Sequence, residues 1–409
     1  MVHSYLLLLV FLSFISSSPS MAQINSGDYE TLLTVKKAWG SPSALSSWTS
    51  KNSSYCTTST CPTISSPVPS RPTSTNCRRR WSTSTCRPMA SQEACHQKLL
   101  SSPSSSPLFL TLIASTNGTY PASAIAELNE LGTLTLAYNP FAQGLIPDEF
   151  NKLTNLKTLW LSGMNLTGGI PDKLSSLTEL TTLALYSNKL HGEIPAWVWK
   201  LPKLEILYLY SNSFTGGFGP EVTCFNLQEL DLSANLLTGT IPEAIGKMKN
   251  LTLLFLYQNN LTGSIPPSIG LLPNLFEIQL FNNMLSGPLP PELGKHSPLV
   301  ILEVHNNLLS GKLPDTLCYN KKLYFLAVFN NSFSGVLLAN IGDCHTLYNI
   351  MAYDNNFTGE FPEKVWWAIP KLTIVMIQNN GFTGTLPCVI SPKMTRIQIR
   401  NNLFSGALC

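Results

Sequence analysis

The chain has 409 residues, which is ample for a large buried core and excludes a short disulfide-stapled module. Hydrophobic residues make up 44% and charged residues only 12%, so uncharged polar groups must cover much of the surface. The net charge of +3 is local: residues 57–115 hold five of the seven arginines (Arg71, Arg78, Arg79, Arg80, Arg87) and Lys98 against the single acid Glu93. A basic face tracking nucleic acid is thereby excluded.

In chain order, residues 1–22 read as a signal peptide, with an apolar core from Leu6 to Ile15 and Ser20-Met21-Ala22 ahead of Gln23. No later apolar run approaches the ~18 residues needed to cross a bilayer. The chain is therefore expected to be secreted, and Asn-x-Ser/Thr sequons at Asn52, Asn117, Asn165, Asn250, Asn260, Asn330 and Asn356 suit that compartment. Residues 57–115 contain 35 Ser, Thr, Pro or Arg in 59 positions, the composition of a disordered segment or of a break in the reading frame. The irregular part is bounded at 62–116, after a short N-terminal region, 23–61.

From Leu131 a pattern LxxLxLxxNxLxGxIP recurs, with first leucines spaced 22 to 25 residues apart, giving about twelve repeats across 117–409. In Asn250–Pro266, NLTLLFLYQNNLTGSIP, Leu254 and Leu256 alternate with Phe255 and Tyr257, so the leucines share one face of a strand. A single repeat cannot bury its leucines alone, so the coils must stack into a solenoid with a parallel sheet along one side. Asparagines at 188, 212, 235, 259, 283, 307, 331, 355, 380 and 402 then turn inward to pair loop backbone groups. Met164 occupies that rung in the second copy, which predicts a gap or a slip onto Asn165. Gly192, Gly239, Gly263, Gly287 and Gly311 provide a backbone geometry closed to other residues, and Pro leads into the convex side.

The Gly-x-Ile-Pro form resembles the plant-type leucine-rich repeat, and Asp28–Cys56 resembles that family's N-terminal cap helix. Together with LAYNPF (136–141) and LPDTLC (313–318), the chain resembles the ectodomain of a plant receptor-like kinase of the HAESA or CLAVATA type. The resemblance implies an α/β fold: a right-handed leucine-rich-repeat solenoid with a parallel β-sheet on its concave face. It also implies a Cys56–Cys61 pair in the cap, although the intervening TTST departs from the family's Cys-x-Trp-x-Gly-Val-x-Cys. Family members bind a secreted peptide on the concave face and engage a leucine-rich-repeat co-receptor near the C-terminal end. A transmembrane helix and a Ser/Thr kinase follow in the family, so the chain reads as an ectodomain truncated before both, apoplastic by itself and at the plasma membrane only through that further segment. The family's Arg-x-Arg pair would fall on Asn349 and Met351 and is absent. Arg396 and Arg400, on outward positions two repeats later, are the candidates to replace it.

A file of outward positions, Tyr186, Tyr210, Tyr257, Phe281, His305, Phe329 and Tyr353, repeats with the coils, beside Tyr208, Phe255, Asp231 and Glu303, with Glu229 and Glu277 near by. Exposed aromatic residues in a polar-rimmed groove suit an extended peptide. The competing reading is that these rings pack on one another and stiffen the sheet. Trp197, Trp199, Trp366 and Trp367 are expected in the convex core. Cys318 and Cys344 stand at equivalent places and either pair or remain buried thiols. No phosphate loop, kinase signature, nucleophile elbow or zinc motif occurs, and neither metal nor cofactor is implied. The function expected is extracellular recognition of a peptide for signalling. The alternatives are a freestanding secreted inhibitor of a pathogen's cell-wall-degrading enzyme and a nonfunctional receptor fragment.

Overall fold

The computed structural model describes residues 120–139 and 141–406 and the backbone of two short strands, Ser84–Thr85 and Leu108–Phe109. The chain divides between Arg78 and Arg79, and every described residue lies in the second unit, Arg79–Cys409. The predicted signal peptide, the N-terminal cap, Cys56, Cys61, Asn52 and Asn117 lie outside the described residues.

In the second unit a 14-stranded parallel sheet runs from Ser84–Thr85 to Arg396–Gln398, its strands paired in chain order. Each strand is about three residues long, and each pairs with its neighbour about one repeat away, as Leu254 does with Leu230 and Ile278. The stretch read as irregular contributes the first two strands: Ser84 aligns with Leu108, and Leu108 with Leu134. After most concave strands the chain turns and forms a second short strand on the flank, replaced by a single bridge after Thr133–Thr135, Glu229–Asp231 and Arg396–Gln398. The flank strands pair into a six-stranded ladder from Thr262–Gly263 to Gly381–Thr383 and a three-stranded one from Thr167–Gly168 to Ser213–Thr215.

Proline then sets the return path. Pro147, Pro171, Pro242, Pro266 and Pro314 precede 3-10 turns on the convex side, with φ between −56° and −76°. Their missing N–H falls where a helical turn has no acceptor to offer. Stacking closes one continuous core: Leu254, Leu256, Leu302 and Leu326 are fully buried, and Phe333, Phe357 and Phe382 stack through it at 6.2 and 5.7 Å. Each such side chain contributes about 1.5–3 kcal/mol. Trp199 and Trp366 join this core and Trp197 packs half-buried against it. Trp367 departs from expectation and is 51% exposed, because the one-turn helix Lys364–Trp367 directs Val365 and Trp366 inward instead. Cys318 and Cys344 form a disulfide across 26 residues, with Cα atoms 5.9 Å apart, and Cys224 is a buried free thiol.

The asparagine ladder is present. Asn259 donates to the carbonyls of Leu232 and Leu256 (3.0 and 3.1 Å) and accepts from the Leu237 amide at 3.0 Å. Asn139 supplies a further buried rung, donating to Leu136 O at 2.7 Å. At Met164 there is a gap and no slip: the methionine is fully buried in the core.

A second ladder runs beside the first and was not foreseen. The residue preceding each rung lies in the left-handed region, with φ of 55° at Asn282, 53° at Asn306, 55° at Asn330, 57° at Asn379 and 55° at Asn401. Asn306 donates to Asn282 (2.6 Å), Asn330 to Asn306 (2.9 Å), Asn379 to Asp354, and Asn401 to Asn379 (2.6 Å). Asparagine tolerates this backbone better than other side chains do, and its amide links neighbouring coils.

Candidate ligand-binding face

The outward residues of the concave strands form three parallel files fixed by register. The first is the ring file. Tyr186 stacks on Tyr210 at 4.3 Å; after a break at Ser233, Tyr257, Phe281, His305, Phe329 and Tyr353 stack continuously at 4.5, 4.4, 4.2 and 4.3 Å, with interplanar angles of 7° to 17°. The rings are less open than the sequence suggests: Tyr186, Phe281, His305 and Phe329 are buried, and Tyr210, Tyr257 and Tyr353 half-buried. Parallel strands lie about 4.8 Å apart, close to the separation of offset-stacked rings, so each ring covers its neighbour's face. Burial holds His305 neutral, with its pKa lowered to about 3.

The second file reads Trp160, Ala184, Tyr208, Asp231, Phe255, Gln279, Glu303, Ala327, Met351 and Met376 in successive register. It is aromatic, then acidic and polar, then apolar. Ala327, Met351 and Met376 join Phe329 in a small cluster separate from the main core. The third file carries Glu229 beside Leu253, Glu277 and Ile301.

Four acids therefore gather on this face. The Tyr208 hydroxyl donates to Glu229 Oε2. The amide and hydroxyl of Ser233 both donate to Asp231 Oδ1 (3.0 and 2.5 Å), yet burial still raises Asp231 to about 7. Burial, then the charge of Glu229, raises Glu277 to about 7; burial, then the charge of Glu277, raises Glu303 to about 8.

All thirteen binding candidates stand on this one sheet face, but in separate groups. Arg396 and Arg400 are exposed on and beside the last strand, four strands from Glu303, or roughly 19 Å along the sheet. Asn349 and Met351, at the place of the family's arginine pair, are buried. The sequence reading missed Tyr138 and Trp160, which complete a ring cluster around Tyr186 at 6.2 and 6.4 Å and are 56% and 36% exposed. Trp160 was findable, since it falls in the file of Tyr208. Of the described sequons, Asn250, Asn260, Asn330 and Asn356 are exposed and Asn165 half-buried. His191, His296 and His345 are exposed, and His296 Nε2 lies 3.2 Å from Glu292 Oε2. Among the described residues no group of His, Cys, Asp and Glu could hold a metal ion, and no helix is long and apolar enough to cross a membrane.

Residues 225–285 and 155–177 match leucine rich repeat families, and residues 25–59 match the leucine rich repeat N-terminal domain. No curated protein matches the chain in sequence. Among solved structures, the fold is similar to the Arabidopsis receptor kinase HAESA in complex with the peptide hormone IDA and the co-receptor SERK1 (38% identity, TM-score 0.69, covering 72% of this chain and 49% of that one). It is also similar to the plant peptide hormone receptor RGFR1 in complex with RGF2 (30%, 0.67, 71% and 46%) and to a TDR receptor (32%, 0.65, 73% and 56%). The chain spans about half the length of these structures. It is a leucine-rich-repeat solenoid with a leucine-rich-repeat N-terminal domain, built like the ectodomains of plant receptor kinases.

Proposed function

We propose that the chain is the extracellular recognition module of a plant receptor-like protein, binding a secreted peptide along the concave sheet and presenting the complex to a leucine-rich-repeat co-receptor. The observation that carries this reading is the stack from Tyr257 to Tyr353 with the acidic and apolar positions at its side. Stacked rings offer a rigid edge of contact area whose ordering entropy is already spent in folding. Recognition on such a face is non-covalent and needs no catalytic group. Similarity to structures described with peptide hormones and a co-receptor supports the reading. N-glycans at Asn52, Asn117, Asn165, Asn250, Asn260, Asn330 and Asn356 and entry into the apoplast belong to the same proposal.

The test is to pan a display library of extended peptides against the full chain and map the selected peptides by photo-crosslinking. Crosslinks at Tyr210, Tyr257 or Tyr353 are expected. Enrichment of no peptide, or crosslinks confined to the convex turns, would overturn the reading.

A further inference from the structure

The centre of the concave face contains buried polar atoms that the fold leaves unanswered. Glu303 Oε1, Gln279 Nε2 and His305 Nδ1 have no hydrogen-bond partner, although the three residues are 1%, 1% and 6% exposed. Gln279 and Glu303 are register partners on adjacent strands, and His305 follows Glu303 on the same face. Orphaned buried groups of this kind are costly and rare, and three together mark a place where something else completes the bonding.

The local charge says what. Glu277 and Glu303 are raised by burial and by neighbouring carboxylates. None of the register positions on this face carries a lysine, and Lys203 and Lys200 pair with Glu179 and Glu221. On the far side of Glu303 the file turns apolar through Ala327 and Met351, which pack with Phe329 and Met376. An acidic end continuous with an apolar floor matches one kind of side chain, a long aliphatic stem ending in a cation.

Resting on the peptide-binding reading above, we infer that Glu303 and Glu277 form a specificity subsite for a lysine or arginine side chain of the ligand, its stem lying over Met351 and Phe329, which cover Ala327. The cation hydrogen-bonds Glu303 Oε1 and neutralises the acidic pair, while Gln279 Nε2 is left to donate to a backbone carbonyl of the ligand. Glu303 is a specificity residue for binding and carries out no chemistry.

The display-selected peptides supply the probe. They are expected to share one Lys or Arg position. Glu303→Gln and Glu277→Gln are each expected to weaken a synthetic selected peptide about tenfold, the size of one charge-assisted contact. Tm should hold or rise, because a buried carboxylate is replaced by an amide. Glu179→Gln, off the face, should leave affinity unchanged. Replacing the peptide's cation with Met should weaken binding to the wild-type chain equally and to Glu303→Gln no further. Cation-free selected peptides that crosslink at the ring stack, or a loss under about twofold in Glu303→Gln, would overturn this inference and leave the peptide-binding reading standing. A library yielding no binder would remove both.

Discussion

Asn188 reaches back one coil to serve Met164: its Oδ1 accepts from the backbone amides of both Met164 and Leu166, at 2.9 and 3.0 Å. Met164 stands where most copies carry asparagine, and Asn188 adds the Met164 amide to the usual set of a rung, donating to the carbonyls of Leu161 and Leu185 as Asn212 does to those of Leu185 and Leu209. Asn212, in contrast, accepts from Leu190 alone. Asn188→Ala is therefore expected to lose about 3 kcal/mol in denaturant unfolding, clearly more than Asn212→Ala. Equal losses would show that the gap at Met164 is bridged by something other than Asn188.

Two glycines with the same backbone separate conformational from steric demand. Gly239 and Gly294 have φ of 80° and 82°, but a Cβ at Gly239 meets nothing within 4 Å, whereas at Gly294 it comes within 3.0 Å of the Leu317 and Thr316 backbone. Gly239→Ala should cost about 1–2 kcal/mol, the strain of the left-handed region alone. Gly294→Ala should cost distinctly more or prevent folding, as read by Tm and soluble yield.

Stability should depend on pH in two opposed ways. Asp231, Glu277 and Glu303 have folded pKa values raised to about 7, 7 and 8. Their contribution is complete below the unfolded carboxylate pKa near 4 and is lost as pH rises through about 7–8. His305, lowered to about 3, works the other way: its contribution is complete above the unfolded value near 6.5 and is lost as pH falls towards 3. Tm is thus expected to fall on the alkaline side in the wild type and to fall less in a Glu277→Gln, Glu303→Gln double variant. His305→Phe, which preserves the stack, should flatten the acid limb. An unchanged profile in both variants would show that neither set titrates as described.

The bond between Cys318 and Cys344 closes a 26-residue separation. Cys318→Ser with Cys344→Ser should lower stability by about 3 kcal/mol while leaving peptide binding intact, since both residues lie in convex turns. Comparable loss of binding would place this bond in the ligand face's support.

Much of this was readable from the chain. The alternation of Leu254 and Leu256 with Phe255 and Tyr257 gave the inward and outward faces, and the spacing of asparagines gave the first ladder. What escaped depended on distances between coils. That Phe281 and His305 would cover each other's faces follows from strand separation, which no single repeat encodes. The second ladder at Asn282, Asn306 and Asn330 hides in the same Asn-Asn pairs that supply the first, because only the left-handed backbone distinguishes their roles. Ser84 and Thr85 gave no leucine pattern to read, and their strand is seen only through its partner at Leu108.

That second ladder also changes how the array should come apart. Its bonds tie each coil to the next outside the apolar core, so peeling a terminal coil must break polar links on the flank as well as expose leucines. The rim is laced in two stretches, Asn282 to Asn330 and Asp354 to Asn401, and unravelling in each should proceed in larger cooperative blocks than in the part before Asn282, where Ser187, Ser211, Ala234 and Gln258 take the same left-handed bend without such bonds between them.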